Sequence, residues 1–227
     1  MTIRGAILDV DGTLVFSNDA HTHAWVEAFK EYGYDLPFEH VRPLIGMGGD
    51  KLMPTLVPGL NAREGIGKQI AERRKQIFLA RYAPQLQPAP ESRALIERMQ
   101  HDGLRLVVAS SAQRDELQVL LKAAQVDDLL QEATTASDVS ESKPAPDAVA
   151  TALGEIQLQP TEAVMLGDTP YDIESARKVG VGTIALRCGG TPDERLEGAI
   201  AIYDDPADLL AHYDQGPLAQ AAEARNA

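Results

Sequence analysis

Residues 6–15 have the sequence AILDVDGTLV, which combines a buried strand with two acidic side chains. An apolar run that ends at a turn is typical of a strand in the interior of a parallel sheet. Asp9 and Asp11 lie at the end of the run, one residue apart, and their carboxylates repel each other wherever the backbone brings them together. We therefore expect a cation to lie beside this pair.

Downstream of this stretch, apolar runs alternate with helical patterns. The runs predict buried strands at residues 5–10, 104–110, 163–168 and 181–186, with a fifth at 199–203. The helical patterns lie at residues 91–103, 113–126, 145–156 and 170–180. Strands that alternate with helices form a largely parallel sheet covered by helices, so the predicted fold class is α/β.

Residues 16–87 interrupt this alternation. They contain helical patterns at 18–33 and 62–83 but no strong strand pattern, and their end overlaps a proline-rich connector, PQLQPAPES. We predict a small helical domain that is inserted after the first strand. The predicted division is a core at 1–15 and 88–215, a helical domain at 16–87 and a C-terminal tail at 216–227.

The composition narrows the class of protein. Hydrophobic residues make up 44% of the 227 residues, which is typical of a folded globular chain. The formal net charge of -13 disfavours a nucleic-acid partner, because such proteins carry basic surfaces. One cysteine, Cys188, cannot form an internal disulfide, and no apolar segment approaches the roughly 20 residues that span a bilayer. With no signal-peptide pattern at the N-terminus, we expect a cytoplasmic monomer or weak homodimer that binds no membrane.

Polar side chains follow the predicted strands, and the carboxyl ends of parallel strands meet at one edge of a sheet. Carboxylates predominate among these side chains, and hard oxygen ligands suit Mg²⁺, so we predict that Mg²⁺ is the expected cation. The predicted cluster contains Asp9, Asp11, Ser110, Ser111, Lys143, Asp168 and Asp172.

These residue types suit phosphoryl transfer. A carboxylate beside Mg²⁺ can attack phosphorus, and a second carboxylate can protonate the leaving alkoxide and then activate water. Asp9 and Asp11 are the candidates for these two tasks. Lys143 and the Ser110 hydroxyl would then stabilise the phosphoryl oxygens.

Four motifs occur in the same order as in the haloacid dehalogenase superfamily, which the chain resembles from residue 6 to about 190. They are DVDGTL, the strand that ends at Ser110, KPAPD from Lys143, and GDTPYD from Gly167. The resemblance implies a Rossmann-like parallel sheet with helices on both faces and an α-helical cap domain inserted after the first motif. Within the superfamily, the chain is most similar to phosphatases and β-phosphoglucomutase-like proteins with a small helical cap.

The resemblance also implies roles for the acidic residues. Asp9 would be the nucleophile and Asp11 the acid and base, with Mg²⁺ held by Asp9, the backbone carbonyl of Asp11, and Asp168. Asp172 would support the water shell of the metal, although it could also charge the first turn of the following helix. The dehalogenases lack a second acid like Asp11, so the resemblance implies a phosphatase or phosphomutase.

The predicted cap supplies candidate substrate residues. The sequence AHTHAW places His21 where the mutases have a histidine, and RPLIGMGGDKL resembles the cap loop that touches substrate. The candidates are His21, Gly46, Gly48, Lys51 and, from the core, Ser111, which could instead cap the next helix. The mutases carry an arginine in that loop where this chain has GGDK at 48–51, which argues against their sugar-phosphate clamp.

Other cap residues have simpler interpretations. Trp25 and Phe29, four residues apart, are expected in the core of the cap, and Arg73–Lys75 is expected on a solvated helix face.

We therefore predict a Mg²⁺-dependent phosphatase that hydrolyses a small phosphorylated metabolite, such as a sugar phosphate or phosphoglycolate, through an aspartyl-phosphate intermediate. Two alternatives remain open: a β-phosphoglucomutase-like phosphomutase, and a non-enzymatic switch that is phosphorylated on aspartate. The sequence does not identify the substrate, because one fold serves many specificities.

Overall fold

The computed structural model describes residues 2–219, which form a six-stranded parallel sheet with helices on both faces. The strand order is β3-β2-β1-β4-β5-β6, with β1 next to both β2 and β4. This arrangement confirms the predicted α/β fold class. The strands are β1 (Gly5–Leu8), β2 (Arg105–Ala109), β3 (Ala133–Thr134), β4 (Ala163–Gly167), β5 (Gly182–Leu186) and β6 (Ala201–Tyr203).

The central strand β1 is buried on both faces, as its continuous apolar sequence requires. Ala6 and Leu8 point into the larger of the two main hydrophobic clusters, and Ile7 points into the other. Helices cover each cluster, so the sheet separates two layers of core. The helices outside the insertion are α5 (Ser92–His101), α6 (Arg114–Ala123), α7 (Asp147–Glu155), α8 (Pro170–Lys178) and α9 (Pro206–Ala211).

Helices also occupy the segment that follows β1, and within 16–87 no residue belongs to a strand of the sheet. The boundaries of the cap domain stay a prediction. The helices of this segment are α1 (Asn18–Glu31), α2 (Phe38–Val41), α3 (Gly49–Leu56) and α4 (Gly65–Ile77).

The structure differs from the predicted elements in several places, and the sequence patterns did not predict α2, α3 or α9. The helix predicted at 62–83 begins only at Gly65, whose φ of 56° lies in the left-handed region, and it passes into a wider turn at Phe78–Tyr82. Strand β3 was missed because two residues are too few to produce a periodic pattern. Several predicted strands extend one or two residues beyond their hydrogen-bonded ladders.

Between residues 2 and 219, no helix is both long and apolar enough to cross a membrane. Most of the predicted tail, from residue 220 onward, lies outside the described residues.

Candidate active site

The sheet order brings the ends of three strands together. In the parallel register, Leu8 of β1 pairs with Leu166 of β4 and with Val108 of β2. Asp9, Asp168 and Ser110, which follow these strands closely, therefore lie side by side at the carboxyl edge of the sheet.

A buried triad of carboxylates lies at this edge. Single oxygen atoms of Asp9, Asp168 and Asp172 all lie within 4.8 Å of one another. The Lys143 ammonium donates to Asp9 Oδ1 at 2.5 Å and to Asp172 Oδ1 at 2.7 Å. The four side chains come from sequence positions up to 163 residues apart, and all four belong to the cluster that the sequence predicted.

Asp172 serves two local purposes at the start of α8. Its Oδ2 accepts hydrogen bonds from the backbone N–H of Thr169 at 3.1 Å and from the Thr169 hydroxyl at 2.6 Å. These contacts close the first turn of the helix. The other oxygen, Oδ1, faces Lys143, so the helix cap fixes the position of the Lys143 partner.

Asp168 is held by a side chain that the sequence analysis missed. The Asn18 amide donates to Asp168 Oδ2 at 2.7 Å and to the Gly189 carbonyl at 3.0 Å. A Cβ on Gly12 or Gly189 would lie 2.3 Å or 1.7 Å from Asp168 Oδ2, so both positions need glycine. No local pattern distinguishes Asn18 from an ordinary residue at a helix start.

The electrostatics of the triad are unbalanced. Burial, with the repulsion of Asp172 and Asp11, raises the pKa of Asp9 from its ordinary 3.8 to about 7 against the opposing effect of Lys143. Burial and the same kind of repulsion raise the pKa of Asp168 well above its usual range. Burial lowers the pKa of Lys143, but its two acidic neighbours outweigh that effect and keep it charged. Lys143 thus provides one positive charge beside three buried carboxyl groups.

This donor set fits a divalent metal. The triad offers several hard oxygen atoms in a buried place with an excess of negative charge, which a cation such as Mg²⁺ would neutralise. Asp11 is outside the triad, because its carboxylate is directed toward the cap.

Asp11 is bound by residues at the start of the cap. It accepts from the Ser17 hydroxyl at 2.5 Å and lies 2.8 Å from His21 Nε2. Burial works to raise the pKa of Asp11, but His21 and Ser17 outweigh it, so the net direction is downward. Asp11 is therefore ionised in this arrangement.

His21 is oriented by its surroundings. Its ring stacks on Phe78 with the centroids 4.0 Å apart, and its Nδ1 lies 3.5 Å from Arg74 Nη1. Because a guanidinium can only donate, Nδ1 accepts and Nε2 carries the proton that is donated to Asp11. His21 thus holds Asp11 in place from the cap side.

Arg74 corrects the expectation for Arg73–Lys75. Instead of lying on a solvated helix face, its guanidinium donates to Glu116 Oε1 at 2.5 Å, and the Glu116 side chain on α6 is fully buried. Arg74 also lies over the Trp25 ring, 5.0 Å from the centroid. The pair joins a cap helix to a core helix, a long-range contact that helical periodicity does not reveal.

A cavity of about 50 Å³ lies between the cap and the strand ends. It contains Asp9 and Asp11 at one end and cap residues at the other, and most of the predicted substrate residues line it. These are His21, Gly46, Gly48 and Ser111.

Outside the carboxylate triad and its lysine, two predicted site residues are not among the residues that line this cavity. Lys51 is not among the lining residues, because its ammonium lies 2.6 Å from Glu141. Ser110 is 1% exposed, and its hydroxyl accepts from the Ala112 N–H at 3.0 Å.

Ser111 donates to the Gly46 carbonyl at 3.1 Å, whereas the residue that caps α6 is Gln113, without a side-chain hydrogen bond. Ser111 therefore joins core to cap.

Removal of the Asn18 amide tests its role in holding Asp168. We expect Asn18→Leu, which keeps the size of the side chain, to weaken Mg²⁺ binding roughly 10- to 100-fold, as loss of a partner behind a metal ligand does. Calorimetric titration of the free protein with Mg²⁺ measures this effect. Asn61→Leu, at an exposed asparagine, is the control and should bind Mg²⁺ normally. Equal affinities would contradict the assignment.

Comparisons with known proteins agree with this geometry. The sequence profile of the haloacid dehalogenase-like hydrolases matches residues 6–186. A phosphoglycolate phosphatase from Rhodospirillum rubrum is 26% identical over 91% of this chain and 89% of its own. The crystal structure of a hydrolase from Pseudomonas syringae superposes with a TM-score of 0.86 at 29% identity, over 95% of this chain and 99% of that one.

A β-phosphoglucomutase from Clostridium difficile shares the fold, with a TM-score of 0.82 at 15% identity over the full length of both chains. These findings confirm the resemblance that the four motifs carried and support the predicted enzyme class, a phosphoric monoester hydrolase. The chain belongs to the haloacid dehalogenase-like hydrolase family.

Proposed function

We propose that the protein is a Mg²⁺-dependent phosphatase that hydrolyses a small phosphorylated metabolite through an aspartyl-phosphate on Asp9. The observation that carries this proposal is the placement of Asp9 in a cavity that also contains Asp11, with Lys143 behind it. A nucleophile, an acid and base, and a fixed cation thus surround one small space.

In the first step, an Asp9 oxygen forms a bond to phosphorus as the bond to the ester oxygen breaks. Asp11 gives its proton to the departing alkoxide. Because Asp11 is ionised in the free protein, it takes up a proton from solvent when substrate arrives, and the negative phosphoryl group favours this by raising its pKa. The Lys143 ammonium holds Asp9 in the position for attack.

In the second step, Asp11 takes a proton from water as the water oxygen attacks phosphorus. The bond between phosphorus and Asp9 then breaks and phosphate leaves. His21 and Ser17 keep Asp11 pointed at this space in both steps. Asp9, Asp168 and the Asp11 carbonyl would hold Mg²⁺, which would neutralise the negative charge of the phosphoryl group.

The test is phosphate release from a panel of phosphorylated sugars, phosphoglycolate and nucleotides, with Mg²⁺ or with a chelator. We expect turnover of a few compounds, dependent on metal and strongly reduced in Asp11→Asn. Rapid turnover by Asp11→Asn would contradict its role as acid and base. No release from any compound would overturn the proposed phosphatase.

A phosphomutase is the second candidate, favoured by the contact between His21 and Asp11. Its discriminating assay is conversion of glucose 1-phosphate to glucose 6-phosphate in the presence of a bisphosphate activator. Gly48 and Gly49 line the cavity where the mutases carry an arginine, so we expect no such conversion.

Metal binding should depend on pH, because Mg²⁺ needs an ionised Asp9 and the pKa of that group is about 7. Below that value a proton competes with the metal. We expect the affinity for Mg²⁺ to fall roughly tenfold between pH 8 and pH 6. Calorimetry without substrate measures this, and an affinity that is constant over the interval would contradict the electrostatic account of the triad.

A further inference from the structure

A second cavity, of about 160 Å³, adjoins the cavity that contains Asp9 and Asp11. Five residues line both cavities and form the wall between them: Trp25, Gly48, Gly49, Arg74 and Ser111. Since the phosphoryl group of a substrate must lie at Asp9, the remainder of the molecule has this second space to occupy.

The second cavity is unusually basic for this chain. Residues 16–87 hold nine Lys and Arg against eight Asp and Glu, whereas the whole chain holds 21 against 34. Three of these cations, Arg63, Arg74 and Lys75, line the second cavity. The cap thus presents positive charge to the place where the alcohol part of a substrate would lie.

The acidic side chains of the same cavity already have partners. Glu116 is buried and bound by Arg74 at 2.5 Å. Asp50 accepts a short hydrogen bond from the Ser142 hydroxyl and another from the Ser142 N–H at 3.3 Å. Among the described residues, neither carboxylate forms an ion pair with Arg63 or Lys75.

Of the remaining two cations, Arg63 has a neutral partner and Lys75 has an exposed acidic partner together with the Gln113 side chain. Arg63 donates to the backbone carbonyl of Ser140, a neutral partner that leaves its charge uncompensated. Lys75 lies 2.6 Å from Asp115, whose side chain is 61% exposed. An ion pair at such an exposed carboxylate is weak, so an anion in the cavity can replace Asp115.

We propose that the substrate carries a second anionic group, a carboxylate or a second phosphate, on the alcohol that is released, and that Arg63 and Lys75 bind it. This inference rests on the proposed phosphatase and narrows its substrate class. Charge-assisted hydrogen bonds to such a group are stronger than those to a hydroxyl, so the two cations distinguish anionic from neutral alcohols.

The experiment compares substrates that differ only in this group. Phosphoglycolate is paired with 2-hydroxyethyl phosphate for the carboxylate, and fructose 1,6-bisphosphate with fructose 1-phosphate for the phosphate. We expect kcat/KM to be at least roughly tenfold higher for the anionic member of one pair. The pair that shows the preference identifies which anion is bound.

Variants assign the preference to residues. Arg63→Gln with Lys75→Gln should reduce the ratio within the preferred pair toward one. Lys68→Gln, on the same helix as Lys75 but outside the cavity lining, should retain it. A ratio near one in the unaltered protein would overturn the inference, as would a preference that survives the double substitution.

A binding measurement separates this inference from the proposed function. Calorimetry with the Asp9→Asn variant compares the same pairs of compounds without any turnover. If no compound is hydrolysed by the unaltered protein, the proposed phosphatase fails, while tighter binding of the anionic compounds would still support the basic subsite. Hydrolysis of every compound with equal efficiency and equal binding would leave the phosphatase and overturn the subsite.

Discussion

Asp9→Asn is expected to abolish phosphate release, by at least about 10³-fold, while it stabilises the metal-free protein at pH 8. The loss of activity follows because an amide cannot form the aspartyl-phosphate. The gain in stability follows from the raised pKa of Asp9, about 7 against an ordinary 3.8. Above pH 7 the folded chain must ionise Asp9 beside two other acids, which costs free energy that a neutral side chain avoids.

Thermal unfolding in chelator at pH 8 measures this second effect, and we expect the melting temperature to rise by roughly 2–5 °C. At pH 5, where Asp9 is protonated in the folded protein but still ionised in the unfolded chain, the increase should be smaller, and it should disappear only below the ordinary pKa of 3.8. Asp35→Asn, at an exposed aspartate, is the matched control and should change neither activity nor stability. An Asp9→Asn variant that is less stable at pH 8 would contradict the assigned repulsion.

Arg74→Leu is expected to destabilise the folded protein by about 3–5 kcal/mol, because it leaves the buried Glu116 carboxylate without its counter-ion. Arg73→Leu is a control at the neighbouring position, since Arg73 pairs with the exposed Glu31 at 2.6 Å, and this substitution should leave stability nearly unchanged. Urea unfolding followed by circular dichroism measures both changes.

The double substitution Arg74→Leu with Glu116→Leu gives the decisive comparison. It removes both charges and replaces them with apolar groups, so most of the lost stability should return. Both Arg74→Leu and the double variant should show reduced activity, because each lacks the guanidinium beside His21 Nδ1. A double variant as unstable as Arg74→Leu would indicate that packing, rather than the unpaired charge, determines the loss.

The sequence predicted the carboxylate cluster because one topological rule converts distant positions into neighbours. Asp9, Asp168 and Lys143 each lie at a recognisable place, after an apolar run or before a helix, and the parallel sheet brings those places together. The four ordered motifs then gave the family, which the profile match confirms.

The residues that hold the cluster were not predictable in the same way. Asn18 and Glu116 act through contacts that cross 150 and 42 residues of sequence, and neither stands in a pattern that marks it. Arg74 lies in a run of three cations, where its neighbours face solvent more, and only the packing of the cap distinguishes it. Such contacts depend on how the helices inserted after β1 pack on the rest of the chain, which local periodicity does not encode.

Trp25 gives the molecule an optical property of practical use. It is the single tryptophan of the chain, and it lies in the wall between the two cavities with the Arg74 guanidinium 5.0 Å from its ring. A cation at that distance changes indole emission, and any separation of the cap from α6 removes Arg74 from Glu116. Because Glu116 on α6 fixes this guanidinium, the intrinsic fluorescence of the unmodified protein should change when the Arg74–Glu116 pair is broken, as in Glu116→Leu, and it reports this contact without an added label.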